Sequence, residues 1–473
     1  MTRIAFGTSG WRGIFCEDFT FDNVKVVTQA IADHLQAAGK GKAGLVVGHD
    51  SRFMGERFAR ETARVLAGAG IKSFLCDRDT PTPVIAHELL RRKADGAINF
   101  TASHNPPEYN GIKFSPDWGG PALPETTGDI EERANAMLGE ICYKEMPLDA
   151  AFRAGLVEEI DPREAYFATL RKLVDFKAIA RSGLTIAYNA LYGAGRGYVD
   201  TLLREAGVKL VTFNDHRDPY FGGLPPDPSA SHMGDFITLV KERSDIDLGI
   251  ATDGDADRYG IVDADGSFIE PNYILALLFD YMVRVKKRTG NVARSVATSH
   301  LVDAVAKYHG LESYETPVGF KYIGEFIRDD KILLGGEESA GLTVRGHVPD
   351  KDGILTCLLV AEMVAVEGRP IKELLADLYR RVGEFHTVRE NLRLSPELVE
   401  TFAAKLATPP KELGGKRVAK VVTIDGSKFL FADGSWVLFR KSGTEPVVRI
   451  YGEAGSAAEL ERLMKGAVDY LKS

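Results

Sequence analysis

The sequence predicts an α/β protein: three related α/β domains with mixed sheets, followed by a C-terminal α+β domain with an antiparallel sheet. Two observations carry this. A strand–helix–strand layout recurs three times, and each helix runs into a glycine (Gly70, Gly207, Gly310) just before the next strand. The C-terminal part instead reads as consecutive short strands with Asp425-Gly426 and Asp433-Gly434 turns between them.

The first unit of the repeat is a strand over 44–48, a helix over 56–69 and a strand over 71–75. The second is a strand over 183–188, a helix over 197–206 and a strand over 208–213. The third is a strand over 295–298, a helix over 301–309 and a short strand over 312–315. Each is a βαβ unit with a parallel strand pair. Ser395-Pro396-Glu397 then opens a helix with a capping serine and a proline in the first turn. Strands follow over 418–424, 428–431, 435–440 and 447–452, and a helix over 457–472 closes the chain. The domains are expected to span 1–155, 156–262, 263–375 and 385–473.

Composition narrows the function. The chain has 473 residues, 44% hydrophobic and 27% charged, as in ordinary globular proteins. A formal net charge of −8 favours neither nucleic acid nor a membrane surface as partner. Four dispersed cysteines form no CxxC pair, against a zinc site or a disulfide framework. No apolar run is long enough to span a bilayer and the amino terminus has no signal-peptide core, so a cytoplasmic location is expected.

Four loops carry chemistry. Thr101-Ala102-Ser103-His104-Asn105-Pro106 follows the apolar run 96–100, which places a hydroxyl nucleophile candidate, Ser103, at a strand end beside an imidazole, His104. Lys113 lies shortly after, either as a proton or charge partner or as a surface lysine. Asp253-Gly254-Asp255-Ala256-Asp257-Arg258 sits between two apolar strands. Three carboxylates at alternate positions repel one another unless a cation neutralises them, and hard oxygen donors select Mg²⁺ or Ca²⁺. An EF-hand is excluded, since Arg258 and Ala264 stand where that loop needs Gly and Glu. Arg258 is placed to hold a phosphoryl group near the ion.

Gly335-Gly336-Glu337-Glu338-Ser339-Ala340-Gly341 suits either recognition of neighbouring sugar hydroxyls or a strand-capping turn. Gly319 and Lys321 upstream and Lys351 downstream supply further polar groups. Arg440-Lys441-Ser442-Gly443-Thr444-Glu445-Pro446, with Arg449 on the next strand, has the cations, hydroxyls and glycine of a phosphate cradle. Gly7-Thr8-Ser9-Gly10-Trp11-Arg12-Gly13 offers similar chemistry through Ser9 and Arg12. Gly193-Ala194-Gly195-Arg196-Gly197 lacks dinucleotide-site spacing and is set aside.

Taken in order, GTSGWRG, TASHNP with NGIK, DGDADR, VGFKYI, GEESAG and RKSGTEP resemble the α-D-phosphohexomutase superfamily over nearly the whole chain. The resemblance implies four domains around a central cleft, each contributing one loop. It implies a phosphorylated Ser103, with one Mg²⁺ per chain shared between that phosphate and Asp253, Asp255 and Asp257. Glu337 and Ser339 would read the sugar, and Arg440, Ser442, Gly443, Thr444 and Arg449 the distal phosphate. The substrate would be a hexose phosphate, and glucose 1,6-bisphosphate the intermediate and activator. Dual-specificity members resemble GEMSGH in the sugar loop and glucosamine members GEQSGH; GEESAG, with Leu342 after it, looks more like the phosphoglucomutase branch. The expected activity is interconversion of glucose 1-phosphate and glucose 6-phosphate, with mannose phosphates as lesser substrates. Phosphomannomutase or phosphoglucosamine mutase as main activity, a metal-dependent sugar phosphatase and a noncatalytic sugar-phosphate sensor are the alternatives.

Overall fold

The computed structural model describes residues 3–7, 10–139, 142–393, 402, 405–406, 409–441 and 447–472. They form two compact units: residues 1–271, 324–331 and 339–371 in one, and 272–323, 332–338 and 372–473 in the other. The expected helix opening at Ser395 lies outside the described residues. No helix among the described residues is long and apolar enough to cross a membrane.

The first unit contains a seven-stranded mixed sheet ordered Phe6–Gly7, Gly10–Ile14, Tyr109–Pro116, Gly96–Phe100, Leu45–His49, Ser73–Cys76 and Val157–Ile160. Leu45–His49 runs parallel to both Ser73–Cys76 and Gly96–Phe100. Tyr109–Pro116 returns antiparallel, which sets Lys113 opposite Asn99. All five residues of Gly96–Phe100 are buried, as a near-continuous apolar run between covered faces requires. Val157–Ile160 pairs with Ser73–Cys76. Residues 157–160, assigned from the sequence to the second domain, thus complete the first sheet, because their backbone donors and acceptors find partners there.

A second sheet in the same unit is ordered Phe268–Ile269, Tyr259–Asp263, Leu248–Thr252, Thr185–Asn189 and Lys209–Phe213. Thr185–Asn189 is parallel to its neighbours on both sides, whereas Leu248–Thr252 and Tyr259–Asp263 form a hairpin around the acidic loop. The helix Gly353–Glu367 packs against this hairpin. It is apolar on nearly all sides and its residues through Val364 are buried, as a helix without a solvent face must be. Asp352 caps it, accepting from Leu355 N at 2.9 Å, and Gly368 ends it at φ 64°, a conformation that favours glycine.

In the second unit, Ser313–Thr316, Asn291–Ser295 and Ile332–Glu337 are three parallel strands. An antiparallel sheet follows, ordered His386–Arg393, Val447–Ala454, Trp436–Lys441, Ser427–Phe431, Lys416–Val422 and Glu412–Leu413, with the helix Ala457–Lys472 against it. Two local expectations change here. The strand expected over 295–298 ends at Ser295, because Thr298 N bonds Ser295 O at 3.0 Å and the two hydroxyls meet at 2.9 Å, closing a turn. The loop expected over 335–341 begins later, since Gly335 and Gly336 continue the buried strand Ile332–Glu337. A Cβ on Gly335 would stand 2.4 Å from Ile323 Cγ2, so this glycine serves close packing rather than a turn.

Candidate active site

Ser103 lies just past the C-terminal end of Gly96–Phe100 and is 1% exposed. Its backbone sits at φ 52°, rare for a residue with a side chain. Its N–H donates to Thr101 Oγ1 at 2.8 Å, and its hydroxyl donates to Asp253 Oδ2 at 2.9 Å, with His104 Nδ1 at 3.3 Å. The nucleophile candidate and the acidic loop, 150 residues apart in sequence, thus share one site.

Asp253, Asp255 and Asp257 are buried, and their candidate ligand oxygens lie within 4.8 Å of one another. Lys113, on Tyr109–Pro116, donates to Asp255 Oδ2 at 2.6 Å and Asp257 Oδ2 at 2.8 Å. The structure therefore sets Lys113 on the acidic loop as its counter-ion. Lys351 Nζ pairs with Asp257 Oδ2 at 3.2 Å, and Arg258 N donates to Asp253 Oδ1 at 2.9 Å. Asp255 Oδ1 and Asp257 Oδ1 are buried without a hydrogen-bond partner among the described residues. Buried carboxylate oxygens are normally satisfied. Two left over, in a set of three hard oxygen donors, fit a divalent cation such as Mg²⁺.

Charge is distributed unevenly. Burial, and then Asp255 and Asp257, push the Asp253 carboxyl well above the usual carboxylate range. Burial would also raise Asp257, but Lys113, Lys351 and Arg258 overcome it and hold that carboxyl below its ordinary value. Burial would lower Lys113, and Asp255 and Asp257 reverse this and keep it charged. Burial, with Arg258 and Arg12, drives His104 well below the usual imidazole value, so its ring is neutral. Arg12 reaches the same loop by donating to Asn105 Oδ1 at 2.5 Å. Ser9 lies outside the described residues.

Several supporting residues carried no signal in the sequence. Thr82 donates to Asp255 Oδ2 across 173 residues. Asp352 Oδ2 accepts from Tyr166 OH at 2.6 Å and meets His347 Nε2 at 2.6 Å, which fixes the turn bearing Lys351. Gly193, in the segment set aside as a decoy, lies where a Cβ would meet Asp253 O at 2.8 Å, and Ala194 N donates to Gly254 O at 2.9 Å. That glycine-rich turn buttresses the acidic loop.

In the second unit, Glu337 ends its strand 5% exposed and accepts from Gly319 N at 2.8 Å, which joins two of the expected sugar-loop positions. Glu338 is used structurally: it accepts from Ser295 Oγ at 2.8 Å and Thr298 Oγ1 at 3.2 Å. Lys321, half-buried, stands over the Tyr322 ring at 5.3 Å. Ser339, half-buried, belongs to the first unit. Asp425 accepts from both Arg440 Nε at 2.9 Å and Val318 N at 3.0 Å, tying the arginine to the Gly319 loop. Arg440 and Arg449 are direct cross-strand partners. Like charges so placed destabilise a sheet unless an anion compensates them. Ser442, Gly443 and Thr444 lie outside the described residues.

Sequence models of four domains match in order: phosphoglucomutase/phosphomannomutase alpha/beta/alpha domains I (3–138), II (164–266) and III (270–382), and the C-terminal domain (396–469). The chain is 32% identical to a phosphoglucomutase/phosphomannomutase of Thermococcus kodakarensis, over 99% of this chain and 98% of that one. It is also 32% identical to a phosphoglucomutase of Komagataeibacter xylinus, over 100% of this chain and 91% of that one. Relatives near that level include one from Methanopyrus kandleri named a probable phosphoglucosamine mutase, 30% identical over 99% of this chain and 97% of its own. A solved Thermus thermophilus protein, provisionally named a phosphomannomutase, superposes with a TM-score of 0.87 at 32% identity, covering both chains fully.

Proposed function

The chain belongs to the phosphoglucomutase/phosphomannomutase family of phosphohexomutases, isomerases that work by intramolecular phosphotransfer, and from that premise we propose that it interconverts glucose 1-phosphate and glucose 6-phosphate through a phosphorylated Ser103. The observation that carries this reading is the Ser103 hydroxyl at 2.9 Å from Asp253, inside a buried carboxylate set with two oxygens left over. A phosphoserine there would bring about two negative charges into a site that already holds three carboxylates. Asp253, Asp255 and Asp257 would hold Mg²⁺, which when bound supplies charge neutralisation for the transferring group.

The chain's own residues do the rest. A sugar hydroxyl attacks phosphorus, the bond to Ser103 Oγ breaks, and a hexose bisphosphate forms. The hydroxyl proton passes to Ser103 Oγ by way of neutral His104, whose Nδ1 is 3.3 Å from that oxygen. Arg12, Lys113 and Arg258 spread the charge of the transferring phosphoryl group. Reversal with the other phosphate regenerates phosphoserine. Glu337 and Ser339 read sugar hydroxyls, with Gly319, Lys321 and Lys351 as further contacts. Arg440, Arg449 and the Ser442–Thr444 segment hold the distal phosphate; the Arg440–Arg449 pair, which Asp425 meets only at Arg440 among the described residues, supports an anion there. Four domains, the first carried through Ile160 by its pairing with Ser73–Cys76 and the others at 161–262, 263–375 and 385–473, would supply these groups, and glucose 1,6-bisphosphate would prime the enzyme.

The Glu-Glu-Ser sugar loop, without a following histidine, favours glucose. Side-by-side kcat/KM for glucose, mannose and glucosamine 1-phosphates tests the reading. Highest efficiency with glucose 1-phosphate, yielding glucose 6-phosphate, is expected. Preference for mannose or glucosamine 1-phosphate would overturn the sugar assignment, and net phosphate release would make the protein a phosphatase.

A further inference from the structure

Arg52 follows the strand Leu45–His49 in His49-Asp50-Ser51-Arg52, far from Ser103 in sequence, and its side chain is fully buried. One guanidinium nitrogen donates to Ser103 O at 2.8 Å and Asn105 O at 2.6 Å; the other donates to Pro106 O and Tyr109 O, each at 2.8 Å. Nε faces Asp50 Oδ2 at 3.3 Å, and Asp50 Oδ1 accepts from Arg52 N at 2.9 Å. The Phe221 ring covers the guanidinium at 5.0 Å. Thus the four N–H groups of the two terminal nitrogens are aimed at carbonyls of the single segment 103–109, while Nε pairs by charge with Asp50 and makes no hydrogen bond among the described residues.

A buried charge is costly unless paired and fully hydrogen-bonded. Here the bonds are all spent on the turn that bears Ser103, whose φ of 52° is unfavourable for a residue with a Cβ. Such a backbone persists only where its surroundings over-determine it. The acidic loop leaves little slack on the other side, since a Cβ on Gly254 would stand 2.8 Å from Ser103 O.

We propose that Arg52 is a positioning residue for phosphoryl transfer, its guanidinium holding the carbonyls of Ser103, Asn105, Pro106 and Tyr109 so that the strained turn keeps Ser103 Oγ aimed at the acidic loop. The proposal rests on the reading of Ser103 as the phosphate carrier. Lysine cannot replace the planar fork, because its ammonium has three donors radiating from one point. A displacement of about 1 Å at a reacting atom costs roughly 10²-fold in rate.

The test uses the full chain, first checked by mass spectrometry for phosphate on wild-type Ser103; its absence would fail the functional reading and not this inference. Arg52→Lys is then assayed with glucose 1-phosphate, with rates expressed per phosphorylated molecule. The expected result is kcat down about 100-fold, with KM within about twofold of wild type, since the sugar-reading groups are untouched. Arg52→Gly should regain at least about tenfold of its lost kcat in millimolar guanidinium, and not in methylammonium. If neither variant folds, Asp50→Asn, which keeps the arginine and removes the negative charge that its Nε faces at 3.3 Å, should lower kcat about tenfold at unchanged KM. A kcat near wild type in folded Arg52→Lys, or in Asp50→Asn should the arginine variants not fold, would overturn the proposal, as would a lowered melting temperature with no loss of kcat per folded molecule.

Discussion

Around Ser103, Asp255 and Asp257 are met by Lys113 at 2.6 and 2.8 Å, and Asp257 again by Lys351 at 3.2 Å; on the last sheet, Arg440 and Arg449 stand opposite one another on adjacent strands. The first region is buried and interlocked through residues from several elements. The second sets like charges opposite one another and, among the described residues, anchors Arg440 through Asp425. A group that transfers phosphoryl must be fixed before substrate arrives, because reorganisation during the reaction would raise the barrier. A group that only holds a phosphate can leave its charge to be completed by the ligand. Variants in the two regions should accordingly fail in different ways.

The largest effect belongs to Ser103→Ala, which should bring turnover to background while the melting temperature stays near wild type, read by a coupled assay for glucose 6-phosphate beside a thermal melt. A measurable mutase rate would break the contrast at its centre. Asp257→Asn should follow, with kcat down by more than about 10²-fold and a weakened response to added Mg²⁺. Because that change strips Lys113 and Lys351 of a buried partner, a stability loss of about 3 kcal/mol is also expected in chemical denaturation. Arg449→Gln should behave in the opposite manner. KM for glucose 1-phosphate should rise about tenfold, with kcat little changed and the melting temperature equal to or slightly above wild type, since a like-charge pair is relieved. A fall in melting temperature would show that Arg449 is structural.

A smaller effect concerns pH. Burial, then His347, hold His87 down to about 4, with Glu88 and Asp352 opposing and Arg91 assisting. In the unfolded chain the imidazole titrates near its ordinary value of 6.5. The unfolded state therefore binds the proton first as pH falls, so the contribution is intact above about 6.5 and is lost progressively towards about 4. Melting curves of wild type and His87→Gln between these values should converge at the acid end; parallel curves would remove His87 from the account. The smallest effect is that of Tyr166→Phe, which removes the 2.6 Å bond to Asp352 and should cost about 1 kcal/mol in urea denaturation, with kcat reduced only slightly.

The strand–helix–strand units and the antiparallel last sheet were legible because burial imposes periodicity and turns demand particular residues. The need for positive charge at the acidic loop was legible for a related reason: alternating carboxylates repel unless a cation meets them, and Lys113 and Lys351 do so here. What stayed hidden lies at long range. Thr82 opens the helix Thr82–Arg92, and the fold brings it to Asp255. Nothing in Asp50-Ser51-Arg52 announces that four carbonyls from 103–109 will meet the Arg52 guanidinium. Gly335 and Gly336 mislead in the other direction, because glycine marks tight packing as well as turns.

The central claim is that Ser103 carries the phosphoryl group that passes to and from the sugar. Peptide mass mapping of the purified chain after incubation with glucose 1,6-bisphosphate, and again after a chase with glucose 1-phosphate, tests it most directly. The expected result is a single phosphoryl group on Ser103 that exchanges into the sugar pool at least as fast as turnover. Turnover with Ser103 unmodified, or with the phosphoryl group on another residue, would contradict it.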